Sequence, residues 1–249
     1  MKSRLRLTTI AALGGIAVIG VCVFAVRHRI AEEWTLFRFD SGDGAQKSLL
    51  LPTLRKIGAE KTLIRLSDYE ATKMPGLIFR YELPGFSGGA SDPAVKALPF
   101  DSVAVECSDV MKDIRDRIGL TRARAALLNY MHEPTAKLRT RVWFAQLAIA
   151  LVTPEANIPE VFRRIGQVET LAPGSNDYDL VYRSKPSAIA ICIEGLSSED
   201  RYTRGGAAFG LSLCGHEAIA AIPSLTRALQ DADIFVSKAS KVAIEQISK

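Results

Sequence analysis

The sequence predicts an all-α chain in which stacked pairs of helices follow one transmembrane helix. Three observations carry this reading. Leu7 to Val26 is a 20-residue stretch without a charged side chain. Behind it, apolar positions at helical spacing recur at matched offsets, the shortest being 33 residues. An Asp or Thr stands where the second helix of each pair would begin.

The N-terminal stretch, at about 1.5 Å per helical residue, reaches about 30 Å, the thickness of a bilayer's hydrocarbon core. Lys2, Arg4 and Arg6 precede it and Arg27, His28 and Arg29 follow it, so flanking charge orients it only weakly. Ala11 and Gly15, small and four apart, suit helix pairing, although a plain anchor needs neither. A retained single-pass anchor through Leu7 to Val26 is expected. The alternative is export with a cleaved signal peptide. Against it, Val23-Phe24-Ala25 is a poor cleavage site, Val21 is the wrong neighbour for a lipidated Cys22, and the apolar run exceeds a usual signal core.

Charge narrows the partner classes. Removing the five basic residues of positions 1–29 (Lys2, Arg4, Arg6, Arg27, Arg29) from the 32 Lys+Arg leaves 27, equal to the 27 Asp+Glu. The chain behind the anchor is therefore formally neutral. The net charge of +5 reports the membrane flank, and nucleic acid, which needs a basic face, is not an expected partner. One local exception runs from Lys112 to Arg141, where eight basic residues meet only Asp113, Asp116 and Glu133. A solvated helical face explains it. The sharper reading makes Arg115, Arg122, Arg124, Lys137, Arg139 and Arg141 a basic face for an acidic partner or a lipid headgroup.

The repeat is clearest at the C-terminus. Ile222, Leu225 and Leu229 space one helix, and Val236, Ala239, Ala243 and Ile247 a second, with Asp233 placed to cap the second. Shifted back 33 positions, Ile222, Leu225, Leu229, Asp233, Ala239, Ala243 and Ile247 meet Ile189, Cys192, Leu196, Asp200, Gly206, Gly210 and Cys214. Shifted back 98, Leu225 meets Leu127, Leu229 meets Met131, Asp233 meets Thr135 and Ile247 meets Ile149. Shifted back 190, Asp233 meets Asp43 and Ile247 meets Ile57. Each unit reads as two antiparallel helices. Small residues in the second helix allow close approach to the first, and neighbouring units must stack to bury their apolar faces. An ordinary helical bundle would show similar spacing.

These residues resemble HEAT repeats, particularly the short HEAT-like repeats named after phycobilisome lyases. Ala221 to Ile247 is the nearest match, and Glu32-Glu33-Trp34 through Asp43 to Leu54-Arg55-Lys56-Ile57-Gly58 follows a first-copy pattern. Arg141 and Thr53 depart from it, standing where small residues are expected. Ile158 to Phe162 matches the start of a unit, but its second half runs into Ala172-Pro173-Gly174-Ser175-Asn176-Asp177, which should break a helix. The resemblance implies an α-solenoid of helical hairpins whose faces bind other macromolecules. It implies no shared activity.

The expected organisation is an anchor at 1–29, a first HEAT-like unit at 30–66, an insertion at 67–110 and a repeat array at 111–249. Leu77 to Leu83 and Val103 to Cys107 have partial strand character, and a Gly/Pro/Ser-rich loop from Pro84 to Pro99 joins them. The insertion is thus read as irregular or a small β-hairpin that packs on the solenoid.

Catalytic motifs are weak. Gly85-Phe86-Ser87-Gly88-Gly89 matches G-x-S-x-G, but Ala90-Ser91-Asp92-Pro93 favours a turn where a nucleophile elbow needs a helix. His132-Glu133 and His216-Glu217 do not extend to H-E-x-x-H and are expected near helix ends. Asp40 to Gly44 lacks the later ligands of a calcium loop and reads as a turn between helices. Cys107, Cys192 and Cys214 have no CxxC spacing and read as buried small hydrophobes. Trp34 and Trp143 fall on expected helices; the lipid interface or packing of the first unit would hold Trp34. The expected function is a membrane-anchored, non-catalytic scaffold that binds a protein partner and needs no cofactor or metal. The alternatives are a bilin-lyase-like or cofactor-chaperone role and, further off, a serine hydrolase using Ser87.

Overall fold

A computed structural model describes residues 25–73, 102–153 and 175–249. Among them every regular element is helical: α1 (25–41), α2 (Gly44–Ile57), α3 (Glu60–Lys73), α4 (Ser102–Ile118), α5 (Leu120–Met131), α6 (Leu138–Leu151), α7 (Asn176–Gly195), α8 (Arg201–Ser212), a 3-10 segment (Gly215–Ala221), α9 (Ile222–Ala228) and α10 (Ile234–Ile247). No helix among the described residues is long and apolar enough to cross a membrane. The expected anchor lies outside the described residues except for its last two positions, Ala25 and Val26.

Local chemistry starts several helices where the sequence places them. Asp43 caps α2 in a reciprocal box with Gln46, whose backbone N–H donates to Asp43 Oδ1 at 2.8 Å. Each such cap satisfies amides that the first turn leaves without a partner. Asp200 accepts from Thr203 N at 3.0 Å to start α8, and Asp233 accepts from Phe235 N at 2.9 Å to start α10. Ser175 caps α7, so the sequence expected to break a helix starts one. Pro223 sits in the first turn of α9, where its missing N–H costs nothing. Between α4 and α5 the chain turns at Gly119 with φ 91°, in the left-handed region that glycine occupies without a Cβ clash.

Thr135 does not cap a helix. Its hydroxyl bonds Glu133, and α6 begins at Leu138 behind Lys137, which offers no side-chain acceptor. The acid at this helix start comes from α3 instead: Asp68 accepts from the Thr140 hydroxyl and stands 3.4 Å from Lys137 Nζ. A carboxylate from a neighbouring helix likewise serves α3, where Glu32 of α1 accepts from Ala59 N at 2.9 Å and from Thr62.

Two apolar clusters fill the interior. The first joins Leu36 and Phe39 of α1, Leu51 and Leu54 of α2, Leu63 and Leu66 of α3, and one face of α4. The second runs from α5 through α10 and includes Trp143, Val181, Phe209, Leu225 and Ile247. Ala71 of α3 belongs to the second cluster and Leu127 of α5 packs against both, so the clusters meet along α3 and α5. α6 is buried without interruption from Val142 to Leu151. A helix apolar on all sides must be surrounded, and α3, α5, α7 and α8 all pack on it. α8 then packs on α10. Cys107, Cys192 and Cys214 are buried, as small hydrophobes would be.

The β-hairpin expected within 67–110 is corrected where the structure describes it. Residues 67–73 complete α3, and Val103 to Cys107 opens α4. Val103, Cys107, Val110, Met111 and Ile114 recur at helical spacing and bury one face, a period longer than the five-residue window that suggested a strand. The expected boundary at 66 falls inside α3. The other expected strand, Leu77 to Leu83, the loop Pro84 to Pro99 with Ser87, and Ile158 to Phe162 lie outside the described residues.

Candidate interaction surface

The basic run from Lys112 to Arg141 spreads over α4, α5 and the start of α6, and most of its cations bind the molecule's own acceptors. Arg115 is buried and pairs with Asp116 at 2.8 Å. Arg124 is buried on α5. Arg117 of α4 donates to Arg55 O at 2.6 Å and to Gly58 O, meeting carbonyls that the end of α2 leaves open. Arg122 pairs with Glu60 of α3, and Lys137 with Asp68 of α3. Arg141 donates to Met131 O at the end of α5 and to Glu194 of α7, both at 3.2 Å. Of the six face residues, Arg122 and Lys137 keep most of their side-chain surface in water, 67% and 68% exposed. The six do not form one continuous exposed face.

Arg139 begins an ordered set of ties toward the C-terminus. Its guanidinium lies 5.3 Å from the Tyr202 ring centroid, and its Nε is 3.7 Å from Asp200 Oδ2. Burial lowers the Arg139 pKa below its usual value, and Asp200 opposes that shift. One step on, Arg201 at the start of α8 donates to Asp233 Oδ2 at 3.2 Å. Arg204 forks onto Asp231, with Nε at 2.6 Å and Nη2 at 2.9 Å from its two oxygens. The Arg204 hydrogen bond holds the Asp231 carboxyl below the usual carboxylate range. Asp200 and Asp233 thus each do two things: they start their own helix and hold an arginine of an earlier one. The recurring acid was legible in the sequence as a cap. Its cross-helix partner was not, because Arg139 and Arg201 stand 61 and 32 residues before the acids they reach.

A second surface was only partly foreseen. Val26, Ile30, Trp34 and Phe37 line the outer side of α1, between 57% and 63% exposed. Trp34 stacks on Phe37, with ring centroids 5.9 Å apart. The inner side of the same helix buries Leu36 and Phe39. α1 therefore has two apolar stripes. Arg29 and Glu33 lie beside the outer one, with Glu33 paired to Lys61, while Glu32 reaches Ala59 N and Thr62 and Asp40 pairs with Arg65. The available signal was an excess of apolar positions in residues 25–41 over what one buried face needs.

Among the described residues no group of three or more His, Cys, Asp and Glu side chains could hold a metal ion. His132 ends α5, and His216 lies in the 3-10 segment before α9. The fold and its ties define an all-α protein of consecutively packed helices. Compared with known proteins, the chain matches no family model and no curated protein.

Proposed function

We propose that this chain is a membrane-anchored α-solenoid of HEAT-like helical hairpins that serves as a non-catalytic scaffold for a protein partner. The observation that carries the reading is the paired use of Asp200 and Asp233 as helix cap and inter-helix anchor. Related ties at successive steps, an ion pair at 3.7 Å from Arg139 and a hydrogen bond at 3.2 Å from Arg201, fit a stacked repeat, since no helix pair buries its apolar face alone. The 20 uncharged positions from Leu7 to Val26 support the anchor. Arg122 and Lys137, the two largely exposed cations of the basic face, are its partner-facing residues, and they favour an acidic protein surface.

The test is site-specific photo-crosslinking in native membranes. A crosslinking residue at Asn129, exposed on α5, should capture one discrete partner band from the full-length chain. The double variant Arg122→Glu/Lys137→Glu should weaken that band about tenfold or more, and salt should weaken it as well. A band indifferent to both changes sinks the basic-face assignment. Absence of any discrete band at Asn129 and at a set of other exposed positions sinks the scaffold reading.

A further inference from the structure

We propose that the outer stripe of α1, formed by Val26, Ile30, Trp34 and Phe37, lies along an anionic lipid surface and holds the helical domain against the bilayer. The inference rests on the anchoring of Leu7 to Val26 proposed above and adds a second, lateral membrane contact.

Four observations converge. First, the stripe begins at Val26, the last residue of the uncharged N-terminal stretch, so its near end is delivered to a membrane by the sequence itself. Second, the net charge at the stripe favours cations. Its one lining acid, Glu33, is neutralised by Lys61, and Glu32 and Asp40 are bound by α3 or the turn before it, whereas Arg29 lines the stripe and Arg27 and Arg38 are exposed on the same helix with no ion-pair partner among the described residues. An apolar stripe edged by open cations is the pattern of a helix lying in a headgroup layer. Third, Trp34 is the kind of side chain that membrane interfaces collect, with an apolar ring and a polar N–H. Fourth, the stripe is small. Four partly exposed side chains offer on the order of 400–500 Å² on one side, short of the roughly 800 Å² per partner of a stable protein interface. Two copies laid side by side would also bring Arg27 and Arg38 against their own duplicates, while anionic headgroups neutralise them.

Length fixes the orientation. Val26 to Phe37 spans about 16 Å along the helix axis. The headgroup layer on one side of a bilayer is about 5–8 Å deep. A helix standing upright from the membrane would leave Trp34 and Phe37 in water, so the contact requires α1 to lie near the membrane plane.

The two tryptophans of the chain supply the experiment. Trp34 is 62% exposed on the stripe and Trp143 is 5% exposed in the second core. Neither lies in Leu7 to Val26. The full-length chain is reconstituted in phosphatidylcholine/phosphatidylglycerol vesicles with and without brominated acyl chains. Bromolipid should at least halve the Trp34 emission, which is read as the difference between the wild type and Trp34→Phe, a surface variant expected to fold. Ile30→Glu/Phe37→Glu should remove most of that quenching. Replacing phosphatidylglycerol by phosphatidylcholine should reduce it. Trp34 that is open to iodide and indifferent to bromolipid overturns the proposal. So does Trp34 shielded from both, which would put a second copy or another protein on the stripe. Alkaline carbonate extraction of the same vesicles separates the two readings. A chain that stays in the pellet with unquenched Trp34 keeps the anchor and loses the stripe; a chain that is released although Trp34 was quenched keeps the stripe and loses the anchor.

Discussion

Glu70 holds a carboxyl at 0% exposure between α3 and α4. One oxygen accepts from Ser108 Oγ, and the other has no hydrogen-bond partner among the described residues. Burial, opposed by the Ser108 hydrogen bond, pushes its pKa up to about 8. At neutral pH the native side chain is therefore mostly protonated, while in the unfolded chain it ionises above its ordinary value of 4.5. A raised carboxyl pKa lowers stability as pH rises. The contribution is fully present below the unfolded value, falls between about pH 4.5 and 8, and levels off above that. Glu70→Gln keeps an uncharged polar end of the same size. Its stability relative to wild type should thus improve steadily from pH 5 to pH 8, by on the order of a few kcal/mol. Urea titrations at several pH values measure this, and a pH-independent difference would contradict the assignment. Asp233 acts through its hydrogen bonds: Asp233→Ala should cost about 1 kcal/mol for the cap alone, with a further loss that shrinks in Arg201→Ala. At this scale the sequence showed the cap acids well, because a cap bonds amides two or three residues away. It did not show Glu70, whose hydrogen-bond partner Ser108 lies 38 residues downstream.

Between elements, glycines of α8 leave room for a side chain of α6. A Cβ built on Gly206 would fall 2.5 Å from Gln146 Nε2, and one on Gly210 would fall 3.0 Å from Gln146 Cγ and 3.0 Å from Cys192 Sγ. The small residues at these offsets were expected to admit the first helix of their own pair. Gly210 does so, with Cys192 Sγ of α7 as close as Gln146 Cγ of α6, whereas Gly206 makes room for Gln146 of α6. Gly206→Ala should destabilise by about 1–3 kcal/mol, because Gln146 is buried and has little room to move. Gln146→Ala in the same chain should recover part of that loss, and a double-mutant cycle by chemical denaturation reads the coupling. Helix existence was largely legible, because apolar spacing and polar turns are local. The strand expected at Val103 to Cys107 failed for the same reason: a short β-branched window outweighed a longer period whose meaning lay in the packing of α4 on α2 and α3. The basic face failed to stay in one piece because side-chain charge in a sequence carries no record of the distant carboxylate or helix end that will bind it.

For the whole molecule, circular dichroism of the full-length chain in detergent should show helix and no dominant β signal, given helices throughout the described residues. If the helices stack as the proposed solenoid, stability should vary along the chain, opening from its ends. Asp231→Ala/Asp233→Ala should speed amide exchange in α9 and α10 at least tenfold while α2 to α4 exchange at their wild-type rates. Uniform acceleration would mean that the chain opens as a single cooperative block.

The direction of the ion pairs has a further consequence. On the N-terminal side, Lys61, Arg65, Arg122 and Lys137 reach back to acids on earlier helices, with Arg55–Asp113 running the other way. On the C-terminal side, Arg139, Arg141, Lys185, Arg201 and Arg204 all reach forward. The reversal falls at the start of α6, between Lys137, which reaches back, and Arg139, which reaches forward. A chain severed in the connection between α6 and α7 would part into an N-terminal piece whose last helix presents greasy flanks and two guanidinium groups that have lost their carboxylates, and a C-terminal piece presenting the matching acids. Such halves, expressed separately, carry the instructions to find each other again, and added salt should slow their reunion.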